Sequence, residues 1–221
     1  MGYAILDCEV VLFDLDGVLV DSSQCITRHW QEWADRHSLD IDEIMQVAHG
    51  LRSGDTMRLV APHLDIEAEE RQYMAMEETD HEGVTAIDGA RQVLARLPAE
   101  SWAIVTSGSA RLARGRLAYV GLPVPNVLVT AEDVKDGKPS PEPYLLGAKR
   151  LGVPFDKCVV IEDAPAGIQA GKSAGMRVVG IAATHTRQAL LETGADVVIE
   201  RLVDLKIFAS ADGRGLAIQI E

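Results

Sequence analysis

Glu9-Val10-Val11-Leu12-Phe13-Asp14-Leu15-Asp16-Gly17 is the stretch on which the reading of this chain turns. An apolar run of this length that stops at Asp-Gly suits a strand buried on both faces, as in parallel sheets, running out into a loop. Two carboxylates two residues apart at a strand end point to one side if the extended geometry persists, and Gly17 permits a sharp exit. Close carboxylates repel, so a cation is implied beside Asp14 and Asp16, and oxygen donors so arranged suit Mg²⁺. A surface Asp-x-Asp-Gly turn would carry the same letters; the apolar strand before it argues against that.

Beyond this stretch the pattern changes. Ile26, Trp30, Trp33 and His37 share one helical face, with Asp21, Ser22 or Ser23 available as N-cap. Helical segments are predicted over 41–48, 55–60 and 67–78, acidic and Met-containing, with no strand-like run between them. After Gly89 helices and strands alternate. Helices are expected over 90–97, 110–120, 143–151, 166–174 and 187–193, and strands over 102–105, 127–129, 158–161, 178–181 and 196–199. Such alternation builds βαβ units and a doubly wound parallel α/β sheet. The tail, 205–221, reads as a β-hairpin about Asp212-Gly213 that extends a sheet edge. The expected organisation is therefore an α/β core of residues 1–20 and 87–221, with an all-helical cap of residues 21–86 inserted after the first strand. An insertion there sits over the usual ligand crevice of an open α/β sheet.

Three more features fall at strand ends. Val105-Thr106-Ser107-Gly108-Ser109 offers hydroxyls and backbone N–H groups before a helix, an anion site, although simple N-capping by Ser107 or Ser109 would look the same. Gly137-Lys138-Pro139-Ser140-Pro141-Glu142-Pro143 holds Lys138 on a proline-stiffened backbone, as a fixed cation for a phosphoryl oxygen requires. Val159-Val160-Ile161-Glu162-Asp163 places two acids after an apolar strand. Asp163 can complete the metal site, with Glu162 reaching it directly or through water.

The segments DLDGVLVD (14–21), TSGS (106–109), GKPSPEPY (137–144) and IEDAPAGIQAG (161–171) resemble the four motifs of the haloacid-dehalogenase-like hydrolases, from Val10 to about Ile199. The likeness is to the members with a small helical cap after the first motif, among them β-phosphoglucomutase and phosphatases of glycerol phosphate and 2-deoxyglucose 6-phosphate. The resemblance implies that Asp14 is the nucleophile and forms an aspartyl-phosphate, with Asp16 as general acid and base. Thr106, Ser107 and Gly108 would bind phosphoryl oxygens together with Lys138. Mg²⁺ would lie on Asp14, the backbone carbonyl of Asp16 and Asp163, with Glu162 in support. In the cap, the segment His49-Gly50-Leu51-Arg52 would read the substrate, Arg52 first and His49 second. His49 could equally be a structural histidine, and Arg52 a cation paired with the cap's acids.

Asp16 argues against dehalogenation, which has no use for this acid. A mutase uses the same motifs, but its helix after motif one carries a histidine where Ile26 stands here, and Ala110-Arg111 stands where it has Lys-Asn. A non-catalytic Mg²⁺-dependent binding module has no need of Asp16 or Lys138. Composition narrows the rest. With 47% hydrophobic and 25% charged residues in 221 the chain is globular, and a formal charge of −13 disfavours nucleic acid and anionic membranes as partners. Cys8, Cys25 and Cys158 read as reduced thiols, no run approaches the roughly 18 apolar residues of a membrane span, and Asp7 and Glu9 do not suit a signal peptide. The expectation is a cytoplasmic, Mg²⁺-dependent phosphatase of small sugar or polyol phosphates, acting as a monomer or weak homodimer.

Overall fold

The computed structural model describes residues 4–210 and 215–220. Elements follow in chain order. The first are β1 (Ala4–Cys8), β2 (Val10–Phe13), β3 (Val20–Asp21), α1 (Ser23–His37), α2 (Ile41–Ala48), α3 (Ser53–Val60) and α4 (Ile66–Glu77). Next come β4 (Thr85–Ala86), α5 (Ala90–Leu94), β5 (Trp102–Val105), α6 (Ala110–Val120), β6 (Val127–Val129), α7 (Glu142–Leu151), β7 (Cys158–Glu162) and α8 (Pro165–Ser173). The last are β8 (Arg177–Ile181), α9 (Arg187–Thr193), β9 (Val197–Ile199), β10 (Leu205–Ala209) and β11 (Leu216–Ile220).

Six strands form one parallel sheet in the order β6-β5-β2-β7-β8-β9. The chain winds outward from β2 to β5 and β6, then returns to β7 and winds the other way. β2 therefore lies at the switch point, where the crevice beyond the strand ends opens. Successive β2 side chains serve opposite faces. Val11 and Phe13 pack with Trp102, Ile104 and Leu117, while Val10 and Leu12 pack with Val105, Tyr144 and Ile168. The run is apolar throughout because both faces are covered.

The four helices between β3 and β4 have their own hydrophobic cluster, in which Trp30, Trp33, Ile44, Met57 and Tyr73 are buried. The chain enters and leaves this unit through an antiparallel pair, Val20↔Ala86 and Asp21↔Thr85. Asp40 and Asp65 cap α2 and α4 by accepting the N–H groups of Asp42 and Ala68. At α1 the cap position is Ser22, but its hydroxyl does not cap; it turns to Asp16 instead.

Three expectations need correction. The tail is not an edge of the main sheet. β10 and β11 pair antiparallel and join β1, which the sequence reading did not foresee, in a separate sheet of order β1-β11-β10. Leu205, Ile207, Leu216 and Ile218 cover the end of the core there, and the turn at Asp212-Gly213 lies outside the described residues. β2 stops at Phe13, because the N–H groups of Leu19 and Val20 both turn back to the Leu15 carbonyl. α5 ends at Leu94, short of 97: Arg96 and Leu97 make tighter i−3 bonds before Pro98. Among the described residues no helix is long and apolar enough to cross a membrane.

Leu12 is fully buried at the centre of the sheet. Leu12→Ala should lower the unfolding free energy by about 2–5 kcal/mol, measured as a fall in the urea midpoint at constant m-value.

Candidate active site

β2, β5 and β7 are neighbours, so the loops that leave their carboxyl ends converge. Asp14 directly follows β2, and its N–H still donates to Ile161 of β7 (3.0 Å). Lys138 comes from the loop between β6 and α7 and reaches across with its long stem. Its ammonium, 2% exposed, donates to Asp14 Oδ1 and Glu162 Oε1, each at 2.6 Å.

Glu162 is the most engaged group in the site. Oε1 also accepts from Tyr144 (2.8 Å), and Oε2 accepts the N–H groups of Asp163 (2.9 Å) and Ala164 (3.2 Å). Asp163 accepts from the Thr184 hydroxyl at Oδ2 (2.6 Å). Gly17, at φ +80°, makes this possible, since a Cβ there would lie 2.0 Å from Asp163 Oδ2.

Asp14, Glu162 and Asp163 bring carboxylate oxygens within 4.8 Å of one another, all three buried. One ammonium faces three carboxylates. Burial pushes Asp14 up to about 7, only partly offset by Lys138, and pushes Asp163 well above the usual carboxylate range, with Glu162 and Asp14 adding to it. Burial alone would pull Lys138 down, but Asp14 and Glu162 outweigh it and hold the ammonium above its ordinary value. This excess of buried negative charge on hard oxygen donors fits a divalent cation such as Mg²⁺. Asp14 and Asp163 are the carboxylates of this cluster with oxygens left to hold it. Glu162, with Lys138, Tyr144 and two N–H groups on its oxygens, is placed to orient and brace.

Asp16 lies on the same cavity as Asp14 but faces the other wall. Its Oδ1 receives Arg116 Nη1 (2.6 Å) and the Ser22 hydroxyl (2.6 Å). In the loop after β5, Ser109 is the N-cap of α6, accepting from Leu112, and donates to Glu78 of α4 (2.7 Å). Thr106 Oγ1 accepts the Gly108 N–H (3.1 Å), and Ser107 donates to the Gly50 carbonyl (2.8 Å). Gly108 thus closes a local turn with its N–H, which the sequence reading had counted as open to an anion.

The expected cap residues lie at the seam. Gly50, at φ +82°, approaches the loop before α8 so closely that a Cβ would meet Ala164 Cβ at 2.9 Å. Arg52 borders the cavity, yet its fork donates to the carbonyls of Val134 and Lys135 (3.0 Å each), fitting where Gly137 has no side chain. It clasps the core rather than pairing with the cap's acids. His49 packs edge-to-face on His185 at 5.7 Å, and burial, with His185 adding, lowers its pKa. The cavity so enclosed measures about 100 Å³.

Sequence reasoning missed Tyr144, Thr184, Arg116 and Glu77. Tyr144 stood within the quoted GKPSPEPY segment, and Thr184 lies just past the end of β8, within reach of Asp163. Arg116 and Glu77 sit inside helices with no local signature. Burial raises the Glu77 carboxyl to about 7, against the pull of Arg116.

Residues 8–175 match the protein family described as haloacid dehalogenase-like hydrolase. The chain is 42% identical to hexitol phosphatase A of Escherichia coli over 211 residues, 93% of this chain and 97% of that protein. It is 35% identical to glycerol-1-phosphate phosphohydrolase 2 of Saccharomyces cerevisiae, covering 91% and 86%. The crystal structure of a hydrolase from Pseudomonas syringae superposes with a TM-score of 0.80 at 30% identity, covering 89% and 95%.

The raised Glu77 pKa means that the folded state binds the proton more tightly than the unfolded chain. That stabilisation is complete below about 4.5 and is lost as pH rises through about 7. Glu77→Gln, which mimics the protonated form, should therefore raise Tm over wild type at pH 8, and the gain should vanish by pH 4.5.

Proposed function

Since the chain belongs to the haloacid dehalogenase-like hydrolases and is a phosphoric monoester hydrolase, we propose that it releases phosphate from small sugar or polyol phosphates through an aspartyl-phosphate on Asp14. The observation that carries this reading is the buried Asp14–Lys138–Glu162 array beside Asp163, at the mouth of a hydroxyl-bearing loop. The named activities of the hexitol and glycerol-phosphate relatives supply the substrate class.

Asp14 attacks phosphorus in line while the bond to the leaving oxygen breaks, and the departing alkoxide takes a proton from Asp16. Asp16, now a carboxylate, removes a proton from water; that water attacks phosphorus and the bond to Asp14 breaks, returning both aspartates to their starting states. Lys138 and the Thr106 hydroxyl hold phosphoryl oxygens, joined by Ser107 once its hydroxyl turns from the Gly50 carbonyl, since phosphoryl transfer depends on positioning and charge. Asp14, Asp163 and the Asp16 carbonyl would hold Mg²⁺, which would supply positive charge against the phosphoryl group. Glu162 keeps Lys138 aimed at Asp14. The helical unit, residues 21–86, acts as a cap that excludes water and closes over the leaving group, its residues His49, Gly50 and Arg52 forming the seam with the core.

Arg111 bears on the mutase alternative. It is largely exposed and pairs with Glu78 at 3.5 Å, so it is not poised to hold a second phosphate. Hydrolysis is the reading this supports. The three cysteines are buried free thiols, which supports a reducing cytoplasm, and a site assembled within one chain supports a monomer or weak homodimer.

Phosphate release from a panel of sugar, polyol and short-acid phosphates should require Mg²⁺ and fall on the order of 10³-fold or more in Asp14→Asn. Conversion of a hexose 1-phosphate to its 6-phosphate without release would replace this reading with the mutase. Independently of turnover, Mg²⁺ at a hundredfold excess over Kd should raise Tm by about 5–10 °C. Chelation should reverse the shift, and Asp163→Asn should abolish it; a wild type indifferent to Mg²⁺ would sink the metal assignment.

A further inference from the structure

Arg116 is the largest charged group buried in the core, 1% exposed, and it borders the cavity from the middle of α6. Nη1 is engaged by Asp16. Nε and Nη2 are buried and have no hydrogen-bond partner among the described residues; Nη2 stands 3.8 Å from Glu77 Oε1, an ion-pair distance without a hydrogen bond. Unmade donors on a desolvated guanidinium are costly, and buried polar groups in native proteins nearly always have partners. The reaction at phosphorus does not call for this cation, because Lys138 already faces Asp14.

Glu77, at the end of α4, borders the same cavity beside Arg116. The two other acids on this wall are occupied elsewhere: Glu70 accepts the Gly54 N–H (3.2 Å), and Glu78 accepts the Ser109 hydroxyl and pairs with Arg111. What remains next to Asp16 is one fork of N–H donors, one carboxylate acceptor and the hydroxyl of Tyr73, unpartnered among the described residues, which can donate or accept beside them. A hydroxyl is both donor and acceptor, so two adjacent hydroxyls satisfy this pair fully. An alkyl chain would leave both groups unmet, and an acidic leaving group would meet Glu77 as a like charge.

We propose that Arg116 and Glu77 form the subsite that reads the leaving group, Arg116 donating to one hydroxyl oxygen and Glu77 accepting from its neighbour. The protein thereby selects neutral, polyhydroxylated alcohols and seats the scissile oxygen at Asp16. The proposal rests on the phosphatase reading. It goes further in assigning substrate choice to a core helix and the end of α4, rather than to the seam residues His49 and Arg52.

The experiment compares kcat/KM for a linear polyol 1-phosphate with that for the alkyl phosphate of equal carbon number. Wild type, Arg116→Met, Arg116→Lys, Glu77→Gln and Glu77→Met are measured. The polyol-to-alkyl ratio should fall about 10- to 100-fold in Arg116→Met, mainly through KM, with partial recovery in Arg116→Lys. Glu77→Gln, nearly isosteric and safe to the fold, should lower the ratio in the same direction. Equal losses on both substrates would make Arg116 a positioning residue for Asp16 and overturn the proposal. An unchanged ratio in Glu77→Met, which removes the acceptor oxygen that Glu77→Gln retains, would overturn it even if Arg116→Met failed to fold. A wild type that releases phosphate from neither compound would sink the phosphatase reading itself, and the subsite with it.

Discussion

A lysine ammonium held between two carboxylates, with almost no contact with solvent, sets the terms for the rest of this molecule. Lys138 can stay charged there only because Asp14 and Glu162 both touch it, and Glu162 is held in place by Tyr144 and two backbone N–H groups. Isolated, each of these charges would be expensive in so dry a place. Their positions derive from three elements: the end of β2, the loop before α7, and the end of β7. The parallel sheet is what brings those ends to one level. Register between β2 and β7, with Phe13 opposite Ile161, therefore matters chemically as well as structurally.

The same array leaves negative charge over. Asp163 is packed against Gly17 and tethered by Thr184, with no cation of its own from the protein. The buried carboxylates of Asp14, Glu162 and Asp163 form a donor set that suits a divalent cation. Across the cavity the balance is different. Asp16 has its cation, Arg116, and a hydroxyl, Ser22, both on one oxygen. Two carboxylates only two residues apart thus have opposite surroundings, one in a metal-seeking cluster and one in a protein ion pair. Divergent environments of this kind are how one fold assigns different duties to chemically identical groups.

Much of this was legible before any coordinates. The apolar runs ending in Asp14, Val105 and Ile161 each point to a buried strand, and α6, β5, β6 and α9 run where periodicity and capping letters placed them. Lys138 was readable because prolines flank it. Arg116 was not, since one of three arginines on an amphipathic helix reads as solvated surface; its partners Asp16 and Glu77 come from distant segments. The separate sheet of β1, β10 and β11 was equally hidden, because pairing between the two chain ends leaves no local trace in either. Arg52 stood out for its charge, yet its clasp on the Val134 and Lys135 carbonyls depends on the missing side chain of Gly137, a coincidence of distant segments.

The short ladder formed by β3 and β4 has a consequence of its own. Because Val20 lies beside Ala86, the helical unit leaves the core and rejoins it at nearly one point, like a bead on a closed ring. Its interior packs around Trp30, Trp33 and Tyr73 without drawing on the sheet. A unit tethered this way can be exchanged, lengthened or redesigned without disturbing the strand register on which the charged array depends. The interior packing of the helical unit and the charged array on the sheet can thus change independently of one another.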